Sequence, residues 1–573
     1  SLKRSRRWSG CRVVPRAILL LLLCAAGAIE ATAATTEAWF EEVSAEAGID
    51  FEHVRANPVR YWFPEIMSGG AAWCDVDGDG WLDLYIVQGG EVKPGSEPAP
   101  GNRLYRNLGN GRFSDATETA GLGDTGYGMG VACADFDGDG HQDLYVTNVG
   151  ANVLYRNRGD GTFSDVTEEA GVGHTSWGAS AAFLDYDRDG DLDLFLVNYV
   201  NWSPERELTC TSGAKKRDYC QPENYNASAR DVLYRNEGDG RLTDVSREAG
   251  LWAAFGNGLG VALDDFDGDG WPDLYVTNDG TPNQLWINQG DGHFVDEALL
   301  AGAAVNMMGT AEAGMGAAAA DVDADGDPDL FMTHLRGETH TLYLNQGGFF
   351  IDHTATAGLA APVVAFTGFG TGFADFDHDG HLDLFVTNGR VVQTLAPIVE
   401  GKPFAEPNQL FRGQGNGRFE EVSPRGGTNV ELVENGRAAA FADYDNDGDI
   451  DIAVVNNGGP AQLLRNSSGS RGQWVMFRLK DDGGRSPLGA RLRVASGDRV
   501  QWRTAETAYS YCAANDPRVH FGLGASGTVD EVLVVWPDGL EETFGPLPAN
   551  RLHELLRGTG REQLAEYDRE PRR

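Results

Sequence analysis

Acidic residues recur in this chain at one fixed spacing. In Asp75-Val-Asp77-Gly-Asp79-Gly80-Trp81-Leu-Asp83, carboxylates stand at positions 1, 3, 5 and 9 and glycine at position 6. The same spacing returns at Asp135, Asp137, Asp139 and Asp143, and at Asp185, Asp187, Asp189 and Asp193. It returns again at Asp265, Asp267, Asp269 and Asp273, and at Asp321, Asp323, Asp325 and Asp329. The last two copies are Asp375, Asp377, Asp379 and Asp383, then Asp443, Asp445, Asp447 and Asp451. Alternate side chains at 1, 3 and 5 can point into one loop, and a hard cation such as Ca²⁺ collects roughly six to eight oxygens at about 2.4 Å. Position 7 is expected to offer its backbone carbonyl, so its side chain is free to vary: Trp81, His141, Asp191, Trp271, Asp327, His381 and Asp449. Glycine at 6 permits the sharp turn. A helix–loop–helix calcium loop places Glu at position 12; here that position holds Ile86, Val146 or Val276, so Asp at 9 must take over. An acidic turn that only solvates a hairpin has no reason to repeat its ligand spacing. The expected cofactor is therefore Ca²⁺, up to seven ions.

These loops need elements that hold them. Each is followed by a strand-like run such as Leu-Tyr-Ile-Val or Leu-Phe-Leu-Val and preceded by small residues, Gly70-Ala71-Ala72 or Ala438-Ala439-Ala440. Between loops a second pattern recurs: Asn102-Arg-Leu-Tyr-Arg-Asn107, a Gly-Asn-Gly turn, Phe113, then Ala120-Gly121. Each repeat is thus about four short strands. The first repeat, starting at Phe40-Glu-Glu, lacks its opening strand, and the last, ending at Gln462-Leu-Leu-Arg-Asn466, lacks its closing one. Ends that complement each other predict a ring whose two termini share one blade, an all-β seven-bladed β-propeller over 34–468. Small side chains suit the crowded strand nearest the axis.

The chain has 573 residues, 86 acidic against 46 basic, and a formal net charge of −40. That balance excludes a nucleic-acid binder, and an apolar fraction of 41 % excludes a disordered acidic tail. Bound cations would offset the self-repulsion. Residues 1–33 carry a basic head (Lys3, Arg4, Arg6, Arg7, Arg12, Arg16), an apolar run from Ala17 to Ile29 and the small-x-small site Ala31-Thr-Ala33. This is the layout of a cleaved secretory signal, and the run is short for a membrane span. The expected location is outside the cytoplasm: periplasm, cell envelope or extracellular space. In that setting Cys210 and Cys220 are expected to form a disulfide, whereas Cys74 and Cys133, in apolar stretches, read as buried thiols and Cys512 has no evident partner.

From about 469 to 560 the repeats give way to alternating strands, Trp474-Val-Met-Phe-Arg-Leu, Ala490-Arg-Leu-Arg-Val and Val532-Leu-Val-Val-Trp536, which read as a small β-rich domain. Residues 561–573 are charged and expected to be disordered.

The seven loops and their strands resemble the FG-GAP/VCBS repeats of integrin-α-type propellers. Pro487-Leu-Gly-Ala-Arg491, Tyr509-Ser-Tyr511, Asp516-Pro-Arg-Val-His520-Phe-Gly-Leu-Gly524 and Val535-Trp-Pro-Asp-Gly539 resemble the ASPIC/UnbV domain. Their order is similar to that of bacterial UnbV-like proteins and of the cartilage acidic protein family. The resemblance implies an exported calcium-binding protein that interacts with matrix or cell-surface partners. The sequence shows no EGF-like module after this domain, as expected of the bacterial branch.

The segments that enter the inner strands should lie at the end of the ring opposite the loops. They carry Arg60, Tyr61, Trp62, Tyr127, His174, Trp177, Phe255, Asn257, Phe366, Phe369 and Arg437, a candidate ligand face if they line an open mouth. The competing expectation is that they plug the channel. Arg158-Gly159-Asp160 occupies a hairpin-turn position, and His520, Asp516 and Ser510 read as domain signature rather than catalytic groups. The functional expectation is a secreted binding or adhesion module for glycan or protein partners; the alternatives are a calcium-dependent polysaccharide lyase or hydrolase, or a structural envelope protein.

Overall fold

The structure, a computed structural model, describes residues 38–562 apart from 56–59, 91, 93–99, 212–214, 394–395 and 469–471. The expected export signal, 1–33, lies outside the described residues, as does 563–573.

Each acidic loop joins the two innermost strands of an antiparallel sheet. In the second sheet Gly128–Ala134 pairs with Asp143–Asn148, which pairs with Val153–Asn157 and then Phe163–Asp165, in the register Ala134↔Asp143, Leu144↔Tyr155 and Tyr155↔Asp165. Seven sheets of this order are present among the described residues. Phe40–Glu42 supplies the outer strand to Gln462–Asn466, with Phe40 opposite Asn466, so the two ends of the propeller meet in one sheet. The inner strands pack against one another in chain order, and the last, Gly436–Ala442, returns to the first, Ala71–Cys74. This is why they are built from glycine and alanine: a Cβ on Gly130 would lie 2.7 Å from the Ala179 carbonyl oxygen. Larger side chains fill the space between neighbouring sheets; Tyr85, Leu104, Leu144 and Phe163 share one such layer.

Two cysteines depart from expectation. Cys74 and Cys133 are joined as a disulfide, not held as separate thiols. They sit near the ends of adjacent inner strands, where the ring brings their Cα atoms to 6.4 Å, a proximity that needs the inter-sheet register to be seen. Cys210 and Cys220 are also joined, inside a long excursion of the third sheet. Cys512 is free and buried.

The C-terminal domain has a three-stranded and a five-stranded sheet around Val475, Phe477, Leu492, Phe521, Val532, Val534 and Trp536. Arg561–Glu562 closes the edge of the larger sheet by pairing with Thr543 and Glu542, so the domain runs past the expected start of the tail. The domain sits on the loop end of the ring and sends residues 505–516 down the axis. Ala513–Ala514 runs parallel to Ala71–Ala72 as a fifth strand of the first sheet. Ser510 exchanges backbone hydrogen bonds with Ala317, and the Tyr511 hydroxyl donates to the Met67 carbonyl at 2.8 Å, beyond the far ends of the inner strands.

Candidate metal centres

Within a loop the carboxylates first organise the backbone. Asp135 Oδ1 accepts from the Asp139 N–H at 3.0 Å and Oδ2 from Gly140 N–H at 2.9 Å; Asp139 Oδ1 accepts from His141 N–H at 2.9 Å. Asp143, at position 9, accepts from Phe136 N–H at 3.1 Å and from Asn157 N–H at 2.7 Å. The position 9 carboxylates of the other loops, Asp83, Asp193, Asp273, Asp329, Asp383 and Asp451, do the same. So position 9 is first a clamp between loop and third strand. Glycine at position 6 lies at φ 89 to 96, as the turn requires. Position 4 is also left-handed, and Arg188, Ala324, His378 and Asn446 stand there at φ 56 to 64.

The position 7 side chains turn to other contacts. Trp271 carries the Arg188 guanidinium at 4.1 Å, and Trp81, His141 and His381 lie beside Gly109, Gly159 and Gly415. Asp191 is 3.7 Å from Arg485, Asp327 accepts from Gly347 N–H at 2.9 Å, and Asp449 is 3.3 Å from His378.

What remains in the loops is unused carboxylate. Among the described residues, five sets of three carboxylates hold oxygens within 4.8 Å of one another: Asp75–Asp77–Asp83, Asp135–Asp137–Asp143, Asp185–Asp187–Asp193, Asp265–Asp267–Asp269 and Asp321–Asp323–Asp325. Asp137 Oδ1, Asp187 Oδ1, Asp265 Oδ1, Asp323 Oδ1 and Asp445 Oδ1 are buried without a hydrogen-bond partner. Burial, reinforced by neighbouring carboxylates, pushes Asp83 up to about 7, Asp143 to about 8, Asp193 to about 9 and Asp329 to about 8. Asp375 and Asp443 rise to about 8 for the same reasons. Clustered carboxylates, each with a buried oxygen left without a partner in several loops, fit a hard divalent cation.

Two contributors escaped the sequence reading. Arg106, Arg156 and Arg412, from the third strands, pair with position 3 carboxylates Asp77, Asp137 and Asp377. From the C-terminal domain, Arg491 reaches Asp265 Oδ2 at 3.1 Å, and Arg518, paired with Asp516 at 2.6 Å, donates to the Asp443 carbonyl at 2.6 Å. For Arg106 and Arg156 the signal was the recurring Arg-Asn at the end of the third strand; Arg412 precedes Gly413 instead.

The channel mouth is filled rather than open. Phe63–Ile66 forms a turn across it; Phe63 stacks on Tyr225 at 5.2 Å, and Trp177 meets Tyr199 edge-on at 5.0 Å. Tyr127 donates to the Pro64 carbonyl at 3.0 Å and Asn257 to Asp279 O at 2.8 Å. Arg437, fully buried, lies 3.8 Å over Phe369 and donates to the Ile66 and Gly436 carbonyls, both at 2.7 Å. Tyr61 and Trp62, half-buried, pack on Tyr219 and Trp202, with Arg60 over Trp62 at 5.0 Å. His174 is half-buried, Phe366 lies under Arg425, and of the set Arg60 and Phe255 are exposed. Aromatic side chains that met across an empty channel would leave their faces wet; here they bury one another. Ser510, Asp516 and His520 are engaged elsewhere: Ser510 Oγ accepts from Thr371 N–H, Asp516 holds Arg518, and His520 packs tilted against His378, ring centres 5.0 Å apart. Gly159 is the left-handed residue of a hairpin turn (φ 72), so Arg158-Gly-Asp160 is a turn.

A ring of four-stranded sheets, each with an acidic loop between its inner strands, capped by a small β domain: this is a β-propeller of repeated acidic-loop units. The FG-GAP-like repeat pattern matches 75–146, 135–196, 224–276, 265–332, 321–386 and 400–485, and the ASPIC and UnbV pattern matches 481–562. The chain belongs to the FG-GAP-like repeat family and carries an ASPIC and UnbV domain. It is similar to cartilage acidic protein 1 of Homo sapiens, 28 % identical over 485 residues covering 82 % of this chain and 60 % of that protein, and to its Mus musculus counterpart, 29 % identical over 309 residues covering 52 % and 44 %. The chain thus spans about three fifths or less of the length of these relatives. Among solved structures, a lectin of Burkholderia pseudomallei is 11 % identical with TM-score 0.42, covering 70 % of this chain and 97 % of that one. An Agrocybe aegerita lectin is 16 % identical with TM-score 0.36, covering 62 % and 80 %. No helix among the described residues is long and apolar enough to cross a membrane.

Proposed function

We propose that this protein is an exported propeller, loaded with up to seven Ca²⁺, that works as an extracellular binding or adhesion module for glycan or protein partners. The observation that carries the calcium part is the set of buried, unpartnered loop oxygens Asp137 Oδ1, Asp187 Oδ1, Asp265 Oδ1 and Asp323 Oδ1, each inside a cluster of carboxylates, with Asp445 Oδ1 buried and unpartnered likewise. A bound Ca²⁺ would supply positive charge where these groups otherwise repel. The Asp at positions 1, 3, 5 and 9 of each loop would hold it with the carbonyl of position 7. Two disulfides support an oxidising compartment, as do the basic head and apolar run of residues 1–33. The likeness to a protein named for cartilage supports an extracellular setting. The test is retention of the protein on an array of polysaccharides and matrix proteins, in calcium and in excess chelator. Calcium-dependent retention on a defined ligand class is the expected result; retention indifferent to chelator, or none at all, would remove the reading.

A further inference from the structure

Away from the filled channel mouth, a cleft of about 610 Å³ lies between the third and fourth acidic loops and the C-terminal domain. That volume falls within the roughly 300–1,000 Å³ of small-molecule sites. Two signature runs of the C-terminal domain, Pro487 to Arg491 and Val535 to Gly539, contribute to its wall.

Two polar groups of opposite kind line this cleft and are unused. Glu506 Oε2 and Arg188 Nε are both buried and without a hydrogen-bond partner. The Arg188 side chain is fixed, because another of its nitrogens donates to the Gly270 carbonyl and its plane lies 4.1 Å over Trp271. Arg491, the other cation of the wall, is already engaged by Asp265 and by the Gly326 carbonyl at 3.2 Å. Burial, with Asp264 nearby, holds the Glu506 carboxyl well above the usual carboxylate range. In the wall of the same cleft, the strand Glu531–Val535 buries Val532 and Val534 in the domain core and leaves Leu533 and Val535 half-exposed. A buried donor, a buried acceptor and an aliphatic wall suit a ligand that is uncharged, hydroxyl-rich on its edges and apolar on its faces. A pyranose ring has that form. A strongly anionic ligand would meet Glu506 and Asp264, and a strongly cationic one would meet Arg188.

We propose that this interdomain cleft binds a short oligosaccharide, with Glu506 and Arg188 taking its hydroxyls and Leu533 and Val535 its C–H face. The proposal rests on the glycan side of the reading above and gives it a site.

The test uses the whole calcium-loaded chain and three probes, chitotriose, maltotriose and cellotriose, followed by saturation-transfer NMR and calorimetry. At least one probe should bind. Glu506→Ala should weaken it roughly tenfold or more, as expected for loss of one strong buried hydrogen bond, and Leu533→Trp should abolish binding by filling the cleft. Melting curves show whether each variant is folded, and Glu506→Ala remains decisive if Leu533→Trp is not. Leu300→Glu, on an exposed helical turn that does not line the cleft, should leave binding unchanged. Equal binding by wild type and folded variants would overturn the site while leaving a glycan partner standing. No binding of any probe would overturn the glycan assignment itself, and the cleft with it.

Discussion

Asn157 holds Asp143 and the neighbouring sheet at once. Its backbone N–H donates to Asp143 Oδ1 at 2.7 Å, and its side-chain amide donates to the Val76 carbonyl of the preceding loop at 2.8 Å. Asn107, Asn236, Asn288, Asn345 and Asn466 repeat both contacts, to the carbonyls of Tyr444, Phe136, Tyr186, Phe266 and Phe376. The sixth sheet has Gly413 instead: a Cβ there would lie 1.9 Å from the Leu382 carbonyl oxygen, and the Val322 carbonyl accepts from Gly417 N–H at 3.2 Å. Each acidic loop is thus bolted both to its own third strand and to the loop before it.

Asn157→Ala should therefore destabilise the protein by about 2–3 kcal/mol. It removes buried bonds to the Val76 and Gln142 carbonyls and one accepted from Gly159 N–H, each worth roughly 0.5–1.5 kcal/mol with a further penalty for orphaned partners. Denaturant unfolding measures it; a loss below about 0.5 kcal/mol would contradict the bolting role.

Stability of the metal-free protein should fall as pH rises from about 4 to about 8. Asp83, Asp143, Asp193 and Asp329 are raised to about 7, 8, 9 and 8 by burial in the fold, against about 3.9 when unfolded. Across that window the folded chain holds more protons than the unfolded one, so raising pH favours unfolding. Added Ca²⁺, which needs ionised ligands, should stabilise far more at pH 8 than at pH 5. Melting curves in chelator and in calcium at both pH values decide it; a metal-free protein more stable at pH 8 would contradict the assignment.

Cys74→Ala with Cys133→Ala should cost about 3 kcal/mol, since the bond closes a loop of 59 residues and ties two inner strands. Cys512 should stay unreactive to thiol reagents until unfolding, because burial pushes its thiol up to about 12. Mass-resolved labelling reads both; rapid native labelling of Cys512 would mean that the axial segment does not stay seated.

Arg518→Ala should loosen the C-terminal domain. It leaves Asp516 buried without its cation and frees the Asp443 carbonyl, a loss of about 3–5 kcal/mol for a broken buried pair. The expected readout is new proteolytic cleavage within 505–516; an unchanged digestion pattern would contradict the docking role.

The loops, the four-strand repeat and the shared closing sheet were legible because each rests on local spacing repeated many times. Cys74 with Cys133 was not, because their pairing depends on which inner strands are neighbours. Whether the mouth is open or filled stayed between two expectations, because an aromatic such as Trp177 in a loop reads the same whether it lines a site or plugs it. Tyr511 in the channel escaped for a different reason: nothing local marks residues 505–516 as leaving their own domain.

The central claim is that the acidic loops hold calcium. Chelated protein titrated with Ca²⁺ by calorimetry, with the melting temperature followed in parallel, tests it most directly. The account predicts saturable binding of several and up to seven ions, a large rise in melting temperature, and the loss of one site in Asp137→Asn. Absence of binding at millimolar Ca²⁺, or a melting temperature that calcium does not move, would contradict it.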